Sequence, residues 1–241
     1  MNSRENVKSA VLDKKITVVL VRPEHPENIG LAARAMKCTG FSKLRVVLEE
    51  DHLLEKAAKT AVHSTDILQN AFKFRNITES VKDFHAVFAS TSKPRKNFSV
   101  ISLDDAVKHI LSYSPAVKIG LLFGNERTGL TGDELKHSNF RFTIPQASRQ
   151  PSYNLSFAVL LTLFALFERR GEKVSSVHKD AFLSSEDQRQ TILGILKKIE
   201  EKGFIHDTNR EHTTERIFEL FRRMNMTEKD RKLLLALFSQ I

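Results

Sequence analysis

The sequence has no tryptophan, a single cysteine and no long apolar run, and each shortage excludes a class of protein. With Cys38 alone, no internal disulfide can form, so nothing in the chain requires an oxidising compartment. No apolar run reaches the roughly 20 residues that a membrane-spanning helix needs. The first residues, MNSRENVKSA, lack the apolar core of a signal peptide. We therefore expect a cytoplasmic protein that does not enter a membrane.

Several common catalytic signatures are missing as well. No Walker loop follows the first predicted strand, and neither does a G-x-G-x-x-G, so the usual nucleotide-binding loops are absent from the sequence. The nine histidines do not fall at zinc-binding spacing, and one cysteine cannot form a thiolate cluster. The H-x-x-E-H and G-x-S-x-G motifs of two hydrolase classes are not found either. The sequence therefore contains no common zinc-binding signature.

The chain has a basic surplus, and its position is informative. Lys and Arg number 38 against 29 Asp and Glu, a net charge of +9 over 241 residues. Residues 1–170 hold 25 basic and 17 acidic side chains, a net charge of +8, whereas residues 171–241 hold 13 and 12. A basic surface attracts polyanions such as RNA or DNA through phosphate contacts. From charge alone, a basic protein without such a partner fits equally well.

Strand-like and helical segments alternate along the first 170 residues. Apolar runs rich in β-branched residues predict strands, and apolar residues at helical spacing predict helices between them. The predicted strands are 16–22, 43–49, 85–90, 117–123 and 140–145, and the predicted helices are 26–40, 102–113 and 153–170. The alternation predicts an α/β domain with a mainly parallel sheet and helices on both faces. Ligands of such sheets bind beyond the carboxyl ends of the strands.

The predicted helix at 153–170, YNLSFAVLLTLFALFERR, has almost no polar face. From Leu155 to Phe167 only Ser156 and Thr162 are polar. A helix that is apolar all round must be covered on all sides. It lies either at the subunit interface of a homodimer or at the centre of one monomer, and the pattern favours neither.

The last part of the chain has a different pattern. Residues 171–188 are mostly polar, which predicts a linker. Three amphipathic stretches follow and predict helices at 186–202, 211–224 and 227–240, with Thr227 and Asp230 capping the last. We predict a catalytic domain at 1–170 and a small all-helical module at 189–241.

Two polar stretches follow the first and third predicted strands. The first predicted helix opens with Asn28, Gly30 and Arg34, and the start of a helix favours anions. Asn28 could equally be a helix cap, and Arg34 could equally be a solvated residue of the helix surface. The segment STSKPRK (90–96) follows the third strand. Its hydroxyls and cations suit phosphate, although an ordinary polar loop is the simpler interpretation.

Two more stretches follow the fourth and fifth strands. In LLFGNERTGL (121–130) two glycines permit a tight turn whose backbone can touch a ligand, or merely a strand-to-helix turn. In IPQASRQPSYNLS (144–156) Ser152 and Asn154 stand at the start of the apolar helix, where backbone N–H groups are free. Ser152 and Ser156 could instead be simple helix caps.

Taken in this order, three stretches resemble the motifs of the SPOUT superfamily of knotted RNA methyltransferases, in its TrmH-like group. They read PENIGLAARAMKCTGF (26–41), LLFGNERTGL (121–130) and IPQASRQPSYNLSFAV (144–159). The TSKPR loop (91–95) and the segment at 203–225 are similar to the bacterial TrmJ-type branch of tRNA 2′-O-ribose methyltransferases. The resemblance thus covers nearly the whole chain.

The resemblance implies properties that no periodicity predicts. They are a C-terminal deep trefoil knot between the strand at 117–123 and the helix at 153–170, S-adenosylmethionine as cofactor, and a homodimer through the knot helices. The implied reaction is methylation of a ribose 2′-hydroxyl in tRNA, at nucleotide 32 of the anticodon loop. Ribosomal RNA as the target and an inactive RNA-binding protein are the alternatives. A small-molecule enzyme would not need the basic surplus.

The resemblance also implies roles for particular residues. The implied catalytic residues are Arg34, Ser152 and Asn28. The implied cofactor-binding residues are Thr91, Ser92, Gly124, Asn125, Glu126, Gly129, Ile144, Pro145, Asn154, Leu155 and Ser156. The implied RNA-binding residues are Arg34, Lys93, Arg95, Lys96 and Arg149.

Two of these residues need comment. Since Arg stays protonated in proteins, we expect Arg34 to grip a substrate phosphate and orient the hydroxyl rather than remove its proton. The branch usually carries a pair of serines where this chain has Pro151 and Ser152, so only one hydroxyl remains.

Overall fold

The computed structural model describes residues 12–48, 52–92, 99–147, 152–172 and 182–239. Its strands are β1 (Ile16–Val21), β2 (Leu44–Val47), β3 (Phe72–Phe74), β4 (Ala86–Ser90), β5 (Val100–Ser102), β6 (Ile119–Phe123) and β7 (Phe140–Thr143). They form one sheet in the order β3-β2-β1-β6-β4-β7-β5, and every neighbouring pair is parallel. The prediction of a parallel α/β sheet is confirmed.

Ten helices lie with both ends in the described ranges, and residues 12–15 are helical as well. In the first 170 residues they are α1 (Pro26–Thr39), α2 (His52–Ala57), α3 (Thr65–Gln69), α4 (Ile77–Val81), α5 (Leu103–Ser112), α6 (Gly132–Leu135) and α7 (Leu155–Glu168). The C-terminal helices are α8 (Ser185–Glu201), α9 (Arg210–Arg222) and α10 (Glu228–Ser239). None of these helices is both long enough and apolar enough to cross a membrane.

Both faces of the sheet are covered, which explains why most positions of the central strands are apolar. In β1, Val18 and Leu20 join a core with residues of α1, α5 and α7. Val19 and Val21 point the other way, into a second core closed by α4 and α6. Since alternate residues of a strand face opposite sides, a sheet buried on both faces needs continuous apolar runs.

The two edge strands were not predicted from the sequence. Each has three residues, β3 at one edge and β5 at the other. Phe72 in β3 stays 68% exposed, so neither strand carries the continuous apolar run of the central strands. Edge strands of this length leave too little periodicity to recognise.

The C-terminal helices enclose an apolar cluster of their own, separate from the two cores of the sheet. It contains Leu183, Ile192, Ile195, Leu196, Ile205, Phe221 and Met226. The predicted capping of α10 is confirmed, because Thr227 Oγ1 accepts from Asp230 N–H and Asp230 accepts from Thr227 N–H. Helix α8 begins inside the predicted linker at 171–188, of which residues 173–181 lie outside the described ranges. The division at 170 and 189 stays a prediction.

The C-terminal helices pack at the amino-terminal edge of the sheet. Ser185 N–H donates to the carbonyl of Phe84, which lies just before β4, and Asn139, just before β7, donates through Nδ2 to the carbonyl of Arg222. On β7, Arg141 Nη2 lies 2.9 Å from Glu219 Oε1 of α9. These contacts lie at the edge opposite the carboxyl ends of the strands.

Candidate active site

A cleft opens where the carboxyl ends of β4, β6 and β7 meet. These strands are adjacent and parallel, so the loops that follow them leave the sheet at the same edge. The start of α7 closes the other side. The cleft is lined by Ser90, Thr91, Ser92, Phe123, Gly124, Asn125, Glu126, Arg127, Thr128, Gly129, Leu130, Ile144, Gln146, Ser152, Tyr153, Leu155 and Ala158.

The loop after β6 is a closed turn held by Asn125. Its side-chain Oδ1 accepts from the N–H groups of Arg127 and Thr128, and its carbonyl accepts from Gly129 N–H at 2.8 Å. Gly129 has a φ of 66°, which favours glycine. At Gly124 a Cβ would lie 2.3 Å from the backbone of Gly129, so the returning loop itself requires a glycine there.

Glu126 is the residue through which this loop contacts the first helix. Its Oε1 accepts from Asn28 Nδ2 at 2.8 Å and from His25 N–H at 3.2 Å, and its Oε2 accepts from Glu24 N–H at 2.8 Å. One carboxylate therefore satisfies two backbone donors at the entry to α1 and one buried side chain. The sequence suggested that Glu126 caps or orients a neighbour, and the structure identifies the neighbours as Asn28 and the backbone before α1.

The same network extends to the third motif. Asn28 Oδ1 accepts from Asn154 Nδ2 at 3.0 Å, and Asn154 Oδ1 accepts from the backbone N–H and the hydroxyl of Ser156. The N-cap of α7 is Asn154, so neither Ser152 nor Ser156, the two caps that the sequence suggested, caps this helix. Asn28 is not a cap, because α1 is preceded by His25 at its N-cap and Asn28 is buried inside the first turn.

The hydrogen bonds determine the charge state of Glu126. Partial burial alone would raise its pKa, but donation from Asn28 and from the backbone at Glu24, Glu126 and His25 outweighs burial, so the pKa lies below the ordinary 4.5. A carboxyl group whose folded pKa is lowered stabilises the fold above its unfolded pKa. That contribution is lost as the pH falls below about 4.5 and through the lower folded value.

Glu126→Gln tests this network directly. Glutamine replaces one acceptor oxygen by an N–H₂ group that faces donors, so we expect a loss of about 1–3 kcal/mol in the free energy of unfolding. Denaturant unfolding at pH 7 measures it, with Glu27→Gln on the exposed side of α1 as the matched control. The difference between wild type and Glu126→Gln should shrink as the pH is lowered below 4.5. A pH-independent difference, or equal effects in both variants, would contradict the assignment.

Arg22 determines the direction of the chain between β1 and α1. It follows β1 with a φ of 52°, and its guanidinium binds both carboxylate oxygens of Glu134, at 2.5 and 2.9 Å. Its carbonyl accepts from Asn125 Nδ2 at 3.0 Å. The left-handed backbone at Arg22 thus turns the chain toward the Asn125 loop. We expect Arg22→Gly to keep this geometry better than Arg22→Val, and thermal unfolding of the two variants compares them.

The structure brings most of the predicted cofactor residues together. Those on the wall of the cleft are Thr91, Ser92, Gly124, Asn125, Glu126, Gly129, Ile144 and Leu155, together with Ser152 from the catalytic set. Pro145, Asn154 and Ser156 flank it without lining it. The predicted RNA-binding residues Lys93, Arg95, Lys96 and Arg149 lie outside the described residues.

Other cleft residues were not predicted. They are Ser90, Phe123, Arg127, Thr128, Leu130, Gln146, Tyr153 and Ala158. Most stand inside the quoted motifs, so proximity in sequence was the available signal. Five described polar side chains of the cleft make no hydrogen bond to the protein and are able to bind a ligand, namely those of Ser90, Ser92, Arg127, Gln146 and Ser152.

Arg34 lies away from the cleft of its own chain. It is exposed on α1, three residues after Leu31, and within the described part of the chain it has neither a hydrogen bond nor an ion pair. The described part of one chain therefore contains no contact that explains this guanidinium.

Helix α7 has one exposed face beside α1, although the sequence suggested that it is covered all round. Its exposed side chains are those of Phe157 (58%), Leu160 (38%) and Phe164 (46%). Leu31 of α1 is 38% exposed as well. A single chain therefore leaves these aromatic and aliphatic groups uncovered, which is typical of an interaction surface.

Comparison with known proteins gives concordant matches. Residues 15–164 match the SpoU rRNA methylase family. Over 155 residues the chain is 36% identical to the uncharacterised tRNA/rRNA methyltransferase LasT of Escherichia coli, covering 63% of this chain and 68% of LasT. It is 27% identical over 239 residues to the tRNA (cytidine/uridine/adenosine-2′-O-)-methyltransferase TrmJ of Pseudomonas aeruginosa, covering 94% of this chain and 93% of that protein.

The fold has a solved counterpart. The crystal structure of TrmJ from Z. mobilis is similar with a TM-score of 0.78 at 25% identity, and the similarity covers 93% of this chain and 97% of that one. It therefore includes both the sheet and the C-terminal helices.

Proposed function

The chain belongs to the SpoU methylase family, and from this membership we propose that it transfers a methyl group from S-adenosylmethionine to a ribose 2′-hydroxyl of tRNA. The observation that carries the proposal is the hydrogen-bonded chain Glu126–Asn28–Asn154. It joins three motifs that are far apart in sequence, at the edge of one cleft. We also infer that the segment from β6 through α7 forms the trefoil knot of the family.

The wall of the cleft suits an adenosine-containing cofactor. Phe123, Leu155 and Ala158 offer an apolar surface to a purine ring, while the backbone of the loop after Gly124 offers polar groups. Gln146 adds a side chain whose amide is not used within the described protein. When bound, S-adenosylmethionine supplies an electrophilic methyl group on a sulfonium sulfur.

The side chains of the protein supply orientation and charge. The ribose oxygen would accept that methyl group, S-adenosylhomocysteine would be released, and the hydroxyl proton would pass to water. Arg34 holds a neighbouring RNA phosphate and so aligns the hydroxyl. Ser152 on the cleft wall forms a hydrogen bond with the same hydroxyl. Such positioning supplies much of the rate enhancement in a two-substrate reaction.

A homodimer brings Arg34 to a cleft. The apolar face of α7 and Leu31 of α1 would be covered by the same face of a second copy, related by twofold symmetry. Arg34 stands beside Leu31 on that face, so it would reach the cleft of the partner copy. This arrangement gives a use to both the exposed apolar groups and the unpaired guanidinium.

Phe157→Glu tests the dimer. A carboxylate in the middle of the proposed interface should convert the protein to monomers, because burying it unpaired costs several kcal/mol. Sedimentation equilibrium measures the mass, and Phe72→Glu on the exposed edge strand is the control. A monomeric wild type, or a dimer unaffected by Phe157→Glu, would contradict the proposed interface.

Transfer RNA is favoured over ribosomal RNA by the extent of the similarity. The family is named for ribosomal RNA, but the protein from Pseudomonas aeruginosa that matches 94% of this chain is named for tRNA 2′-O-methylation. We further propose nucleotide 32 of the anticodon loop as the target and the cytoplasm as the location.

Mass-spectrometric mapping of 2′-O-methyl groups tests the substrate. Transfer RNA and ribosomal RNA from cells with and without the gene are digested and compared. We expect one ribose methyl to disappear from the anticodon loop of a set of tRNAs. A loss confined to ribosomal RNA would establish the alternative target.

A further inference from the structure

A second pocket lies at the opposite edge of the sheet, between the C-terminal helices and the parallel sheet. We call it the junction pocket. It has a volume of about 330 Å³, and residues of α4, α8, α9 and the segment before β7 line it with both apolar and polar side chains. Its principal residues are His137, Asn139, Gln188, Arg189 and Arg222. The cleft for methyl transfer shares none of them.

Arg222 is the unusual group in this pocket. Its side chain is partly buried, and among the described residues it has no hydrogen bond and no ion pair with a carboxylate. Its guanidinium lies 5.7 Å from the ring centre of Phe218, which is a weak contact. The charge of Glu219 acts on Arg222, but this carboxylate binds Arg141 at 2.9 Å and Arg223 at 3.6 Å. None of the guanidinium nitrogens of Arg222 is a buried atom without a partner, so its donors remain available to an anionic ligand.

The other groups that face the pocket are also suited to an anion. Arg189 is half exposed on α8 and pairs only loosely with Glu186, at 3.7 Å. His137 is partly buried, and burial together with the charges of Arg222 and Arg189 lowers its pKa to about 4. The charged groups that line the pocket are therefore the guanidiniums of Arg189 and Arg222 and the carboxylate of Glu186. The neutral imidazole of His137 could gain a proton if an anion entered.

We propose that the junction pocket binds a phosphate group, with Arg222 as the principal ligand and Arg189 and His137 beside it. Arg is suited to phosphate because its planar fork donates two parallel hydrogen bonds. The phosphate is either one of the RNA backbone or a free phosphorylated small molecule. An RNA phosphate would touch the enzyme at the edge opposite the methyl-transfer cleft. Only the RNA source rests on the proposed function.

Histidine NMR with inorganic phosphate tests the pocket itself. The full chain carrying ¹³C-labelled histidine is titrated with phosphate at pH 6, and His137 is assigned with His137→Gln. We expect a saturable shift of the His137 signal toward the protonated form in wild type and none in Arg222→Gln. Arg223 contacts Glu219 and does not line the pocket, so Arg223→Gln should behave as wild type.

Transfer RNA binding over a range of salt concentrations identifies the source. For an RNA phosphate, Arg222→Gln should weaken binding about five- to tenfold at low salt and lower the salt slope by about one contact, with a smaller effect in Arg223→Gln. Phosphate binding with unchanged tRNA affinity would establish a small-molecule ligand instead. No phosphate-dependent His137 shift, together with equal RNA effects of both variants, would overturn the proposal. Because neither readout needs methyl transfer, an inactive wild type would refute the proposed function and leave this result intact.

Discussion

Arg34→Ala is expected to lower the turnover number for methyl transfer by roughly a hundred- to thousandfold, the usual effect of removing one preorganised charged group from an active site. The exposed guanidinium has no partner within the described part of the chain, so its loss should leave the free energy of unfolding nearly unchanged. S-adenosylmethionine should still bind, because the proposed role of Arg34 is to hold an RNA phosphate and not the cofactor. Single-turnover kinetics measures the rate of methyl transfer, and calorimetry measures the binding of S-adenosylmethionine.

Lys37→Ala is the matched control for this prediction. Lys37 lies one turn further along α1 and forms an exposed ion pair with Asp66 at 2.7 Å. Such pairs contribute about 0–1 kcal/mol, so its removal should leave turnover within a fewfold of wild type. Methylation by Arg34→Ala at the wild-type rate would remove Arg34 from the site.

Mixing two inactive variants tests whether Arg34 acts across the dimer. Arg34→Ala and Gly124→Ala should both be inactive alone, the second because a Cβ would collide with the backbone of Gly129. In a mixed dimer one cleft retains both an intact Gly124 loop and the Arg34 of the other copy. We expect activity to return on mixing if Arg34 reaches the partner's cleft. No recovery in dimers proven to be mixed would place Arg34 in its own cleft.

Glu219→Ala is expected to have the largest effect on stability. The guanidinium of Arg141 is buried in β7 with only 4% of its side chain exposed, and Glu219 is the carboxylate against it. Burial lowers the pKa of Arg141 despite the attraction of Glu219, which means that the cation is poorly solvated. Removing the carboxylate leaves a buried charge, and we expect a loss of about 3 kcal/mol in the free energy of unfolding, measured by denaturant titration.

Glu215→Ala on the same helix is the control. Glu215 lies one turn before Glu219 and pairs with Lys136 at the surface, where both side chains are well exposed. We expect a change below about 1 kcal/mol. Limited proteolysis should cut the C-terminal helices sooner in Glu219→Ala than in Glu215→Ala. Equal stability of the two variants would mean that Arg141 finds another partner without cost.

The sequence predicted the elements that carry strong local signals. Strand β6 is an unbroken apolar run, α5 is capped by Ser102 accepting from Asp105 N–H, and α1 ends at Gly40 in the left-handed conformation. These features depend on residues close in the chain. The resemblance to the SPOUT superfamily and its TrmJ-type branch, based on three motifs in order, is likewise confirmed.

The rest could not be predicted, because it depends on contacts between distant residues. Glu126 and Asn28 are 98 positions apart, so neither the partners of Glu126 nor the error of treating Asn28 as a cap was visible locally. Gly30 is explained by helix packing, since a Cβ there would lie 2.1 Å from Thr60 Oγ1. The burial of Arg141 could not be predicted either, because its partner Glu219 lies 78 positions away in α9.

The most direct test of the proposed function is methyl transfer with the purified protein. Unmodified tRNA transcript and S-adenosylmethionine with a labelled methyl group are incubated with it, and the digested product is analysed by mass spectrometry. We expect the label on the ribose of a single nucleotide in the anticodon loop. A label on a base, or no transfer to tRNA while ribosomal RNA is methylated, would contradict the proposal.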